Sequence, residues 1–335
     1  MKPFSYTRAA SVHDALKAFS ANRETRFIGG GTNLLDLMKM GVEQPAHLVD
    51  INRLPLTEIT EHEGGVRMGA LARNTDAANH HLIRTRYPVL SQAILAGASQ
   101  QLRNMATMGG NLLQRTRCYY FYDPSYGECN KRTPGSGCAA IEGVNRIHAI
   151  LGTSASCIAT HPSDLCVALT ALDATIQVTG LNGSRSIAMA DFHRLPGDTP
   201  QFETNLQGGE LITAIDVPPL PYGKRSFYLK LRDRQSYAFA LVSVAVALDM
   251  EEGSGTIRRA HIALGGVAHK PWRAEKVEKA LAGKKADANV LRAAADAELK
   301  DAKGYGGNDF KIELARRSIV RAVGTAVAMS QASGR

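Results

Sequence analysis

Four of the chain's five cysteines, Cys118, Cys129, Cys138 and Cys157, fall in one basic stretch punctuated by glycine and proline. It runs between two candidate cofactor-binding segments, Ala106-Thr107-Met108-Gly109-Gly110-Asn111 and His161-Pro162-Ser163-Asp164. Four thiolates are what a cubane iron-sulfur cluster needs, and a loop can fold around one, so a cluster beside a nucleotide cofactor explains the placement. Three other readings stand beside it. Structural zinc takes cysteines in close pairs, whereas ten, eight and eighteen residues separate these four. Disulfides need an oxidising compartment, and five thiols leave one over. Scattered buried thiols pack as small hydrophobes, which suits Cys166 within Leu165-Cys166-Val167-Ala168-Leu169. The other four have more polar surroundings.

Charge bears on the same stretch. Arg103, Arg115, Arg117, Lys131, Arg132 and Arg146 outnumber Asp123, Glu128 and Glu142 there. A four-thiolate cluster is anionic, and nearby cations and backbone amides stabilise it and tune its potential. A solvated basic loop is the plainer account of the same charges.

The 335 residues are enough for two or three domains, and 44% hydrophobic with 21% charged residues is an ordinary soluble composition. The longest apolar stretch, Tyr237 to Leu248, is interrupted by Ser243 and too short to span a bilayer, so it reads as a buried strand. Met1-Lys2-Pro3-Phe4-Ser5-Tyr6 has no apolar signal region, and export is therefore expected only in company with a signal-bearing partner. The net charge of +9 is dispersed, with no stacking-aromatic motif, which argues against nucleic acid and for an anionic cofactor or an acidic partner face.

The first fifty residues read as strand, helix, strand, glycine loop, helix, strand. Ser11 with Asp14 three residues on resembles a capping box, and Val12, Ala15, Leu16 and Phe19 follow at helical spacing. Further strands are expected at Leu56 to Thr60, Val66 to Ala70 and Glu210 to Val217, with helices from Thr75 to His81 and Val89 to Ala98. Ser163 can cap a helix through Leu172, and Asn182-Gly183 suits a hairpin turn. Pro218, Pro219 and Pro221 mark a linker, beyond which three strands precede three helices.

Gly29-Gly30-Gly31-Thr32-Asn33 sits between a strand and a helix, where backbone N–H groups and a helix N-terminus can hold a pyrophosphate. It is neither a P-loop nor a G-x-G-x-x-G fingerprint, and a tight turn would also explain it. Gly109-Gly110, with Thr107, Asn111 and Gln114, repeats that chemistry. Asp164 can accept from a ribityl hydroxyl or a ring nitrogen, or merely cap its helix.

Phe27-Ile28-Gly29-Gly30-Gly31-Thr32-Asn33-Leu34, the Ala106–Asn111 segment, His161-Pro162-Ser163-Asp164, and Lys230-Leu231-Arg232-Asp233-Arg234 with Tyr237-Ala238-Phe239-Ala240 occur in the order seen in FAD-binding subunits of the xanthine dehydrogenase family, which the chain resembles over nearly its whole length. The resemblance implies an α+β protein: an FAD-binding fold of two subdomains (PCMH type), at 1–54 and 55–220, the second with an iron-sulfur insertion at about 115–157, then a C-terminal domain of a three-stranded sheet plus helices at 224–330. The insertion, with Cys129-Asn130-Lys131-Arg132 and Gly135-Ser136-Gly137-Cys138, is similar to that of bacterial periplasmic aldehyde oxidoreductases. By that likeness Cys118, Cys129, Cys138 and Cys157 ligate a [4Fe-4S] cluster, Cys157 being the ligand for which Cys166 competes. Arg26, Phe27, Ile28, Gly29, Gly30, Gly31, Thr32, Asn33 and Leu34 would wrap the pyrophosphate of FAD, while Thr107, Gly110, Asn111 and Gln114 hold phosphate and ribityl oxygens. Asp164 would meet the ribityl or ring, Leu211 would pack on the cofactor, and Lys230 would lie near the isoalloxazine and stabilise its anionic reduced form.

The implied function is electron transfer. Aldehyde oxidised at a molybdenum-cofactor large subunit delivers electrons, through a small [2Fe-2S] subunit, to FAD here and on to an external acceptor, with no protein acid, base or nucleophile required. The alternatives are the corresponding subunit of a hydroxybenzoyl-CoA reductase type enzyme, a stand-alone NAD(P)H flavin reductase, and a scaffold in which the glycine loops are only turns.

Overall fold

The computed structural model describes residues 1–21 and 24–332, which are organised on three sheets. In the first, β1 (Ser5–Arg8), β2 (Thr25–Ile28) and β3 (His47–Asp50) run parallel in the order β1-β3-β2. Parallel neighbours need crossovers, and the helices Val12–Ser20 and Leu34–Lys39 supply them. Ser11 Oγ accepts from the Asp14 N–H at 3.1 Å, so the expected cap is present. Ala15 and Leu16 on the first helix pack against Val49, Ile51 and Leu54.

The second sheet is antiparallel, ordered β4-β5-β8-β6-β7 from β4 (Ile59–His62), β5 (Gly65–Gly69), β6 (Thr175–Gly180), β7 (Gly183–Ala188) and β8 (Leu211–Val217). Gly183 takes φ +125° in the β6–β7 turn, a conformation glycine adopts without strain. Helices Asn74–Asn79, Pro88–Ala96 and Asp164–Ala171 join this sheet's core.

The third sheet holds β9 (Ser226–Leu231), β10 (Val242–Met250), β11 (Thr256–Gly265), β12 (Trp272–Arg273) and β13 (Lys284–Lys285). Its strand β10 is buried on both faces, in keeping with a run that is apolar from Val242 to Leu248 except at Ser243. Val242, Val244, Val246 and Leu248 face the C-terminal helices Glu275–Leu281, Ala288–Leu299 and Phe310–Ala332, whereas Ala245 joins the core of the second sheet.

Three features depart from the sequence reading. The C-terminal sheet has five strands rather than three, because Trp272–Arg273 and Lys284–Lys285 are too short to show a strand period. The apolar stretch from Tyr237 does not enter the sheet until Val242: Tyr237 has φ +50°, and Tyr237 and Phe239 stay exposed. Short helices at His81–Arg86, Gln100–Met105, Met108–Leu112, Tyr119–Tyr122 and Met189–Phe192 were not expected; each is six residues or fewer, too short to show a period. Among the described residues no helix is long and apolar enough to cross a membrane.

Candidate functional site

A cavity of about 860 Å³ is walled by the loop after β2, by residues from Ala93 to Arg117, by Pro162, Asp164 and Leu165, and by Tyr237, Ala238 and Phe239 at its lip. That volume suits a large organic cofactor. Every residue from Arg26 to Leu34 lines it, as do Thr107, Gly110, Asn111, Gln114 and Asp164. The two glycine loops therefore meet across one space.

They also touch each other. A Cβ on Gly30 would sit 2.0 Å from the Met105 carbonyl oxygen, so this glycine is needed for backbone crossing backbone. Gly31 has φ +74°, and the strand can turn into the next helix only through such a residue. Asn33 spends its side chain on protein, its Oδ1 accepting from the Arg115 N–H at 3.0 Å and its Nδ2 donating to Tyr122 Oη at 3.2 Å. Thr107 Oγ1 accepts from the Gly110 N–H at 3.2 Å, and Asn111 Oδ1 accepts from Gln114 Nε2 at 2.6 Å and from Ser163 Oγ at 2.5 Å. One polar network thus spans the second loop and the start of the helix that carries Asp164.

Asp164 is buried and held from both sides. Tyr228 Oη donates to Oδ1 at 2.6 Å and Lys230 Nζ to Oδ2 at 2.8 Å, and Lys230 donates also to the Ala96 carbonyl at 3.0 Å. Burial, then the Asp164 charge, raises the Tyr228 phenol well above its ordinary value, so it stays a donor. Lys230 does not line the cavity; it lies behind Asp164 and pairs with its carboxylate. Leu211, expected against the cofactor, is also absent from the wall: it packs with Leu54, Leu71 and Val49 in the core of the first sheet. The start of β8 turns that side chain toward the parallel sheet, a placement no local pattern encodes. Arg103, not expected at the cavity, lines it, donates to the Gly97 carbonyl at 2.6 Å and keeps its buried Nε without a partner. Its only signal was charge in a capped segment.

The four cysteines of the insertion share one small core with Tyr120, Phe121, Ala140, Ile158 and Ala159. Cys118, Cys129 and Cys157 are buried and Cys138 half-buried, all as free thiols. Cys166 belongs to the separate core of the second sheet. Among the described residues, no three of the four inserted sulfurs lie within 4.8 Å of one another, a spacing too open for a single tetrahedral ion. Backbone amides converge on them instead: Phe121 and Tyr120 on Cys118, Ile158, Ala140 and Ile141 on Cys138, and Ala159 on Cys157 at 3.4 Å. A hydrogen bond from Cys157 lowers the Cys138 thiol and, together with burial, lifts that of Cys157, while burial pushes Cys118 up to about 12.

The residues flanking Cys129 fasten the loop. Asn130 Oδ1 accepts from the N–H groups of Gly135 and Gly137, both at 3.0 Å, and its Nδ2 donates to the Ser156 carbonyl at 2.9 Å. Gly135 and Gly137 have φ of +88° and +100°, which explains the glycines of Gly-Ser-Gly-Cys. Arg132 donates to the carbonyls of Tyr120, Phe121 and Tyr126. Lys131, its side chain 2% exposed, reaches the Pro200 carbonyl at 2.9 Å and Glu203 at 2.5 Å. Burial opposes ionisation of Glu203, but Lys131 and Arg115 prevail and hold its carboxyl at about 2. Arg115 pairs with Glu43 as well, linking the insertion to the cavity wall.

A cradle of glycine loops around a cavity of this size, on this α+β fold, defines a protein that holds a dinucleotide cofactor. A family model described as the FAD binding domain in molybdopterin dehydrogenase matches residues 2–220, and one for the CO dehydrogenase flavoprotein C-terminal domain matches residues 227–326. The chain belongs to the FAD-binding subunits of the xanthine dehydrogenase family of oxidoreductases. It is 51% identical over 334 residues to the aldehyde oxidoreductase FAD-binding subunit PaoB of Escherichia coli (strain K12), a match covering 98% of this chain and 100% of that one. With the glyceraldehyde dehydrogenase medium chain of Sulfolobus acidocaldarius it shares 32% identity, covering 86% and 84%. A solved carbon monoxide dehydrogenase from Hydrogenophaga pseudoflava superposes with a TM-score of 0.75 at 28% identity, over 98% of this chain and 99% of that one.

Proposed function

We propose that this chain is the FAD-binding medium subunit of a molybdenum-dependent aldehyde oxidoreductase and that it carries, besides FAD, a [4Fe-4S] cluster on Cys118, Cys129, Cys138 and Cys157. The observation that carries the cluster is the set of backbone amides that converge on three of the four clustered sulfurs, those of Cys118, Cys138 and Cys157, since N–H groups aimed at sulfur stabilise an anionic cluster. The aldehyde assignment rests on the 51% identity with the aldehyde oxidoreductase FAD-binding subunit PaoB. The partners are a molybdenum-cofactor large subunit and a small [2Fe-2S] subunit, and by the same likeness the chain reaches the periplasm folded, beside a signal-bearing partner. When bound, these cofactors supply redox chemistry: an aldehyde and water yield a carboxylic acid, two protons and two electrons at the large subunit, and the electrons pass by way of FAD to an external acceptor.

What this chain's own residues do is bind and orient. The Gly29–Asn33 loop offers backbone N–H groups to the pyrophosphate, with Arg26 and Thr32 on the same wall. Thr107, Gly110, Asn111 and Gln114 present donors and acceptors across the cavity, and Asp164, locked by Tyr228 and Lys230, keeps one orientation toward it. Purification with its partners tests the assignment. The complex is expected to hold one FAD per chain, and Cys129→Ser or Cys138→Ser should lose about four iron atoms while keeping the flavin. Unchanged iron in those variants would refute the ligands, and a colourless chain would refute the flavin.

A further inference from the structure

His148 is buried beside the four cysteines, and its imidazole Nε2 stands 3.1 Å from Cys118 Sγ. Its other ring nitrogen, Nδ1, is buried and has no hydrogen-bond partner. That asymmetry assigns the proton. On Nδ1 it would be a donor with nothing to accept it, and with Cys118 bound to iron as a thiolate two lone pairs would face each other across the Nε2–sulfur contact. On Nε2 it is donated to sulfur, and only an acceptor is left unmet.

The ring is held from several directions. Tyr119 and Tyr120 flank it with ring centroids 6.4 and 6.5 Å away, and the Tyr120 hydroxyl accepts from the Val144 N–H at 2.6 Å. The His148 carbonyl accepts from Lys311 Nζ at 2.7 Å and from Asn308 Nδ2 at 3.3 Å. Lys311 also reaches the Gly266 carbonyl at 2.5 Å, so the C-terminal helix, the third sheet and the insertion meet at this residue.

We propose that His148 is a positioning residue for the iron-sulfur centre: it donates an Nε2–H hydrogen bond to the Cys118 sulfur, fixes that ligand's orientation and raises the reduction potential of the cluster. The inference rests on the four-cysteine ligand set proposed above. The physical basis is that reduction adds negative charge to a centre already anionic, and a donor aimed at a ligand sulfur stabilises the reduced state more than the oxidised one. Cys118 is singled out because, of the four sulfurs, it is the one with a side-chain nitrogen donor among the described residues.

The test is an EPR-monitored redox titration of the assembled complex, with the cluster's signal identified by its loss in Cys129→Ser. His148→Phe, which fills the ring's space without a donor, is expected to retain iron and FAD and to shift the cluster to a lower potential. His148→Gln, whose amide restores an N–H, is expected to recover most of that shift. An unshifted potential in an iron-replete His148→Phe, or equal shifts in the two variants, would overturn the hydrogen bond. Should His148→Phe fail to assemble, the parent complex with isotope-labelled histidine decides: magnetic coupling of an imidazole nitrogen to the reduced cluster upholds the assignment and its absence overturns it. A parent complex without the cluster's iron would overturn the ligand set itself, a result distinct from either.

Discussion

Glu203→Gln is the most informative perturbation of this chain. The carboxylate is buried between Lys131 and Arg115, and Arg115 keeps Glu43 when Glu203 is neutralised. The loss therefore falls on Lys131, whose ammonium is left with the Pro200 carbonyl and an amide oxygen. Two routes give its size. A carboxyl lowered from 4.5 to about 2 is stabilised in the fold by about 3 kcal/mol. Breaking a buried pair by removing one partner costs about 3–5 kcal/mol, the lower figure suiting a glutamine that still accepts. Glu203→Gln should thus lower the urea-unfolding free energy at neutral pH by about 3 kcal/mol. Lys131→Met in the same chain removes the orphaned charge and should restore most of it. Because Cys129 and Lys131 share one turn, the proposed cluster would also lose its iron faster in the single variant than in the parent. The pH signature follows from the lowered carboxyl: its contribution is complete above 4.5 and disappears as pH falls through about 2. A single variant within about 1 kcal/mol of the parent, or a double variant no more stable than the single, would refute a buried pair that holds the insertion.

Two further outcomes are expected. Gly30→Ala would put a methyl 2.0 Å from the Met105 oxygen and force the two glycine loops apart, so FAD affinity should fall at least about tenfold, or about 1.4 kcal/mol, with circular dichroism unchanged; full flavin occupancy would refute the close approach. His269 is held neutral, its imidazole lowered to about 4 by burial and then by the Lys131 charge. Below pH 6.5 the unfolded chain takes up a proton that the folded chain refuses, so the contribution of His269 is complete above 6.5 and falls by up to about 1.4 kcal/mol per pH unit down to about 4. His269→Gln should flatten the acid limb of the urea-unfolding free energy by that amount, and an identical slope would count against it.

Much of the architecture is written locally. The Ser11 and Ser163 caps, the β6–β7 turn at Gly183, the glycine loop between β2 and its helix, and the buried run of β10 all depend on neighbours a few residues away, where periodicity and turn chemistry act. The order of these segments also carried the resemblance that the family models bear out. Contacts between distant residues carry no such pattern. Lys131 meets Glu203 across 72 residues, and His148 meets Cys118 across 30. Leu211 looks in sequence like any apolar strand residue, and only the packing of β8 against the parallel sheet sends it into a core rather than onto the cavity wall. Tyr237 and Phe239 continue an apolar run, yet a positive φ turns them out to the lip of the cleft. The amino-acid sequence alone determined which segments are strands, loops and candidate ligands, because short-range sterics and hydrogen bonding decide those. Only the tertiary structure decided which buried charges are paired, which thiol faces an imidazole and which side chains line the cavity, because burial and partner geometry exist only once the three sheets have packed.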